Sequence, residues 1–106
     1  MLHLMAKHRG QLVLVPASYN PAEVLWAMDG RTVVGMVTAS DVHNGRYRAG
    51  VYTPQTQWLG DLPVSGTLWI CVQRHGEALV DKPQAGTEEF LSVQDALAAI
   101  ARNRVV

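Results

Sequence analysis

Val33–Thr53, VVGMVTASDVHNGRYRAGVYT, is the stretch whose reading decides the fold. Two alternating runs flank Asn44-Gly45, a dipeptide suited to a two-residue type I′ turn because both central residues of such a turn need positive φ. Counting outward from that turn pairs His43 with Arg46, Val42 with Tyr47, Asp41 with Arg48 and Ser40 with Ala49. The count continues through Ala39 with Gly50, Thr38 with Val51 and Val37 with Tyr52. Side chains alternate across a sheet. One face is therefore expected to carry Met36, Thr38, Val42, Tyr47, Ala49 and Val51 into a core. The other would present His43, Arg46, Asp41, Arg48 and Tyr52 to water.

Upstream, Gln11–Val15 (QLVLV) reads as a first strand, ended by Pro16, which cannot donate to a ladder. Asn20–Gly30 (NPAEVLWAMDG) supports two readings. Asn20 as cap, Pro21 in the first turn, Glu23 as a capping-box carboxylate and Gly30 past the end favour a short helix near residues 21–28. Asp29-Gly30 is equally a hairpin signal, with Val24-Leu25-Trp26 as a strand leading into Arg31-Thr32-Val33. In both readings Trp26 belongs to the core.

Downstream, Pro54–Gly66 (PQTQWLGDLPVSG) has two prolines and two glycines and no sustained periodicity, so a long connection is expected. Trp58 in its middle either folds back over the core edge or contacts a partner. Thr67–Gln73 (TLWICVQ) is a strand, turned at His75-Gly76 into Glu77–Asp81, which would pair Arg74 with Glu77, Val72 with Leu79 and Cys71 with Val80. Lys82–Leu91 is a connection. Ser92 then caps a helix, VQDALAAIARN, whose Leu97 and Ile100, with Val93 and Ala96, form one apolar stripe. Arg102 and Arg104 complement its dipole. The sum is an α+β fold: an antiparallel sheet of four to five strands with the C-terminal helix packed on one face.

The chain of 106 residues is expected to form a single domain, 1–106, long enough to bury roughly two-thirds of its unfolded surface. Hydrophobic residues make up 48% and charged ones 17%, which excludes disorder as the default. No apolar run approaches the ~20 residues a membrane-spanning helix needs, and the run Leu12–Val15 is too short for a signal peptide. A cytoplasmic protein that does not enter membranes is the expectation. Nine basic and nine acidic residues cancel to zero net charge, which disfavours a dedicated nucleic-acid binder. Zero net charge with a high apolar fraction favours self-association.

Candidate chemistry is sparse. Cys71, the single cysteine, cannot form an intrachain disulfide and reads as a small buried hydrophobe. His3, His8, His43 and His75 share no metal-ligand spacing, so no metal is expected. No nucleophile elbow, dinucleotide fingerprint or P-loop occurs, and the adjacent Glu88-Glu89 reads as a solvated pair. The sequence thus points away from an enzyme and toward no cofactor. On the expected wet face, Arg46, Arg48 and Tyr52, with His43 nearby, could grip phosphates and stack on bases. Such a sheet is similar in architecture to the DNA-reading sheets of integrase arm-binding and AP2-type domains.

A second resemblance covers Gly30–Val42, GRTVVGMVTASDV. This segment resembles the strand end of CBS domains, in which the matching threonine and aspartate help hold the ribose and phosphates of an adenine nucleotide. The resemblance implies nucleotide binding through Thr38 and Asp41, and it implies a helix directly after the segment. Here HNGRYRAGVY follows, which reads as turn and strand. The leading expectation is a small non-enzymatic binding module with a protein partner, a second copy of itself in a dimer being the first candidate, and with Trp58 as a contact.

Overall fold

The computed structural model describes residues 11–73, 76–81 and 87–104. Its elements are β1 (Val13–Pro16), β2 (Val24–Asp29), β3 (Thr32–Ala39), β4 (Tyr47–Val51), β5 (Gln57–Leu59), β6 (Leu62–Ser65), β7 (Leu68–Gln73), β8 (Gly76–Val80) and α1 (Val93–Asn103). Six strands form one antiparallel sheet in the order β1-β2-β3-β4-β7-β8, and β5 with β6 forms a separate two-stranded hairpin. The α+β class is as the patterning predicts. Two stretches read as helix or loop are strands: one widens the main sheet beyond the expected four to five strands, and the other forms the separate hairpin.

The first of these is β2. Asn20 does begin a turn: its carbonyl accepts from the amides of Glu23 and Val24, and its side chain meets Glu23 Oε2 at 3.2 Å. The turn does not propagate into a helix over 21–28. Val24–Asp29 instead pairs on both sides, with β1 and with β3, so ladder bonds to two neighbours override local capping. The alternative hairpin reading holds, with its loop at Gly30-Arg31, since Asp29 faces Thr32. Gly30 alone takes positive φ, 61°, the pattern of a II′ turn with glycine at the first central position.

The second is Pro54–Gly66, expected as an irregular connection. It contains β5 and β6 joined at Gly60-Asp61, with Leu59 facing Leu62 and Gly60 again at positive φ, 64°. Thr56 closes the hairpin's base. Its hydroxyl donates to Gly66 O and accepts from the Thr53 amide, each at 2.9 Å.

The register of β3 and β4 differs from the count. Ala39 faces Tyr47, Thr38 faces Arg48, Val37 faces Ala49 and Gly35 faces Val51, so residues 40–46 all lie in the connection. Asn44-Gly45 does turn the chain, with Arg46 N donating to His43 O at 3.3 Å. Only Gly45 has positive φ, 80°, so the turn is not type I′. The slip of three residues is odd, and an odd slip inverts one arm against the other. Val37 therefore joins Ala49 and Val51 in the core, while Met36 and Thr38 turn to the opposite face with Arg48 and Tyr52. Val42, expected in the core, stands 63% exposed in the loop.

Strands β7 and β8 also pair two residues away from the count, with Ile70 facing Leu79 and Cys71 facing Ala78. The slip is even, so it does not invert one strand against the other. Cys71 is buried as expected, its thiol directed at Ala78 O. The loop residues Arg74 and His75 lie outside the described residues, as do His3 and His8, and Glu77, expected opposite Arg74, faces Val72 instead.

Helix α1 begins as the sequence predicts. Ser92 Oγ accepts from Asp95 N at 3.1 Å, Asp95 lies in the first turn and Arg102 in the last. Ala96, Ala99 and Ile100 are fully buried, with Val93 and Leu97 partly so. They pack against Ala27, Val37, Ala49, Val51 and Ile70. Close approach is possible because Gly35 has no side chain: a Cβ there would lie 2.8 Å from Ile100 Cγ2 and 2.6 Å from Gly50 O.

The opposite face of the sheet carries a second cluster, onto which the hairpin lays Trp58. Ala17, Val24, Met36 and Tyr52 are buried there, with Tyr19, Trp26, Val33 and Trp69 packed around them. No helix among the described residues is long and apolar enough to cross a membrane.

Candidate functional site

Strands β4 and β7 pair only at Gly50–Trp69 and Val51–Leu68 and then diverge. Residues 87–90 fill the gap. Phe90 exchanges both backbone hydrogen bonds with Tyr47, and Glu88 N donates to Ile70 O. That strap carries Glu89 to the 40–46 loop. Ser40 Oγ donates to Glu89 Oε2, and His43 Nδ1 lies 2.6 Å from Oε1. The Ser40 hydroxyl also accepts from the amides of Val42 and His43. The Ser40 hydrogen bond foremost, with His43 and the charge of Arg48, holds Glu89 below the ordinary carboxylate range. A serine, a histidine and a carboxylate thus meet in one cluster, but the hydroxyl faces the carboxylate and not the imidazole. The serine–histidine–carboxylate order of a catalytic triad is therefore not formed, and the cluster clamps the loop to the strap.

The residues expected to form a wet cationic face do not assemble as one. Arg46 is exposed in the loop. Arg48 is mostly buried, and its Nη1 lies 3.2 Å from the exposed Asp41 carboxylate. The pairing of Asp41 with Arg48 is therefore met in space, although the residue across from Arg48 in the ladder is Thr38. His43 is engaged with Glu89. Tyr52, expected on the solvent face, is 5% exposed and lies beneath Trp58, their ring centroids 4.9 Å apart and their planes at 74°. Its ring is covered on this face, and burial raises its hydroxyl pKa above the ordinary phenolic value.

Thr38 and Asp41 do border one cavity, of about 540 Å³, between the start of β2, the end of β3, Tyr47 and Val93. Thr38 Oγ1 donates to Glu23 O at 3.2 Å. After Asp41 the chain turns into β4, where the CBS resemblance implies a helix. The ionisable side chains lining the cavity are Glu23, Asp41 and Tyr47, so two carboxylates face a space where phosphates would need cations.

Trp58 occupies the most built-up position. It projects from β5 onto the aromatic face, edge-on to Tyr52 and also to Trp26, whose centroid lies 6.4 Å away at 75°. Tyr19 continues the cluster, 6.2 Å from Trp26. Cavities of about 290 Å³ each lie on the two sides of Trp58. One is lined by Trp26, Val33, Gly60 and Asp61, the other by Tyr52, Pro54, Val33 and Arg104 among others. The Tyr52 hydroxyl and Trp26 Nε1 are buried beside one another, and the Tyr52 hydroxyl also meets Tyr19.

The hairpin has a second side. Trp58 and Pro63 form an opposed pair facing the sheet, so Leu59 and Leu62, the next pair, face away from it. Leu59 is 71% exposed and Val64 54%, with Leu62 beside them. Reading the sequence for chemistry missed Leu59, Leu62, Val64 and Asp61, and also Glu89. A signal for the hairpin was present: Gly60-Asp61 is a two-residue turn candidate flanked by Trp58-Leu59 and Leu62-Pro63-Val64. Among the described residues no group of three or more histidine, cysteine, aspartate or glutamate side chains is arranged to hold a metal ion. Comparison with models of known protein families, with curated proteins and with solved structures gave no match for this chain.

Proposed function

We propose that this chain is a small non-enzymatic interaction module that self-associates, and that the outer side of the β5–β6 hairpin is the contact. The observation that carries the reading is the two-sided apolar character of that hairpin. An antiparallel pair with one face on a core ordinarily turns polar residues outward. Here Leu59, Leu62 and Val64 are turned outward, next to Trp58, which stays 38% exposed. A contiguous apolar ridge of this kind on a small domain is what an interface leaves when its partner is absent. A second copy is the partner the composition favours. The chain has no net charge with which to attract a charged partner or to repel itself.

The association is driven by apolar burial, so it is insensitive to screening. Light scattering over a range of protein concentrations, at low salt and at high salt, tests this. A dimer that persists in both is expected. A monomer at high concentration removes the reading, and a dimer that dissociates sharply as salt rises assigns the contact to charges instead.

A further inference from the structure

The corner on the Asp61 side of Trp58 has a composition that selects its own ligand. Trp26 and Trp58 stand at 75° with centroids 6.4 Å apart, so the two indoles form adjoining walls rather than a closed stack. Val33 and the backbone of Gly60 complete the lining, and Asp61 is the one ionisable residue in it. The Ser18 hydroxyl donates to Asp61 Oδ2, which orients the carboxylate and leaves its charge intact. Among the described residues no cationic side chain pairs with Asp61. The arginine of this region, Arg104, lines the cavity on the other side of Trp58 and is paired with Asp29 at 2.7 Å.

We infer that this corner receives an N-methylated ammonium group. The negative faces of indole rings attract a cation, and tryptophan does so best of the aromatic side chains. Methylation spreads the charge and weakens hydration, so such a head leaves water for an aromatic corner more readily than a bare ammonium does. The Asp61 carboxylate supplies the full countercharge at the rim. The size agrees as well: about 290 Å³ in an open corner suits a headgroup rather than a whole cofactor. The self-association proposal rests on Leu59, Leu62 and Val64 on the outer side of the same hairpin and only borders Trp58, so either proposal can stand without the other.

The test is a titration of the intact chain followed by tryptophan emission, at constant ionic strength. Choline is the probe, and its neutral tert-butyl analogue, of the same shape, is the control. A saturable change with choline is expected, with the neutral analogue weaker by about tenfold. Asp61→Asn, which preserves shape, should weaken choline several-fold without altering the response to the neutral analogue. Trp58→Phe keeps a ring over Tyr52 and should also weaken choline, while Trp58→Ala should remove the response. A thermal melt of each variant identifies any that fails to fold, and Asp61→Asn then carries the comparison. Two further arms use the amide of acetylated trimethyl-lysine and that of unmodified lysine. Trimethyl-lysine binding more tightly than choline makes the source a protein side chain, the reverse makes it a free solute, and both keep the shared chemistry. Equal binding of choline and its neutral analogue, unmodified lysine binding as tightly as the trimethylated form, or an unchanged affinity in Asp61→Asn overturns the inference.

Discussion

The two faces of the six-stranded sheet are built from different materials. The helix face is aliphatic: Val37, Val51, Ile70 and Ile100 are the largest fully buried side chains, and alanines at 27, 49, 96 and 99 let the layers approach. The hairpin face is aromatic, with Tyr19, Trp26, Tyr52, Trp58 and Trp69 set around Met36. It has open clefts on both sides of Trp58. The comparison separates a face that holds the fold from one that has surface and rings to spare for a ligand or partner.

The largest effect expected from this division is at Ile100. Ile100→Ala removes a fully buried side chain from between the helix and β3 and should cost about 2–5 kcal/mol in chemical denaturation. A loss below half a kcal/mol would show that the helix face is not the core. Gly35→Ala probes the same contact from below, since the added methyl meets Gly50 O and Ile100 at less than van der Waals distance. It should destabilise by about 1–3 kcal/mol, the usual cost of overpacking. An unchanged melting temperature would mean the layers separate freely. Ser92→Ala removes the cap of α1 and should cost about 1 kcal/mol, with Ser92→Asp recovering most of it.

The smallest effect concerns the clamp on the 40–46 loop. Glu89 is held below its ordinary range in the folded chain, by Ser40 foremost. Its contribution to stability is present above the unfolded pKa of about 4.3 and is lost as pH falls through the lower folded value. Glu89→Gln should therefore flatten the decline of melting temperature in that acid window. A variant that follows the wild-type acid limb would place the titration elsewhere.

How much of this was legible in the sequence depended on the range of the interactions. The bounds and cap of the helix were legible, because Ser92, Asp95 and the stripe of Leu97 and Ile100 with Val93 and Ala96 are local signals. Within it, Leu97 is only partly buried and Ala99, outside the expected stripe, is fully buried. The hairpin at Asn44-Gly45 was legible as a turn but not as a register. The contacts that widen it into a loop come from Glu89, far along the chain, which engages Ser40 and His43. Asp41 and Arg48 met as the count required, yet through side chains reaching across a loop rather than through the ladder. At residues 20–29 the local capping signal is real and produces one turn, after which pairing with both β1 and β3 prevails. The candidate site was least legible. Trp58 was identified as a residue that folds back or meets a partner, and it does fold back. The outward position of Leu59 and Val64 follows only from knowing that Pro54–Gly66 forms a hairpin, and the burial of Tyr52 only from knowing what covers it.

The most direct test of the division between the faces is sedimentation equilibrium of the wild-type chain beside the double variant Leu59→Ser/Val64→Ser, with a thermal melt of each. Both side chains lie on the outer side of the hairpin and are exposed, so exposed-surface substitution should change intrinsic stability by no more than about 0.5 kcal/mol. The account predicts a wild-type dimer and a variant that is monomeric at the same concentrations, with an unchanged fold. A wild type that is monomeric throughout, or a variant that dimerises as well as the wild type, would contradict it.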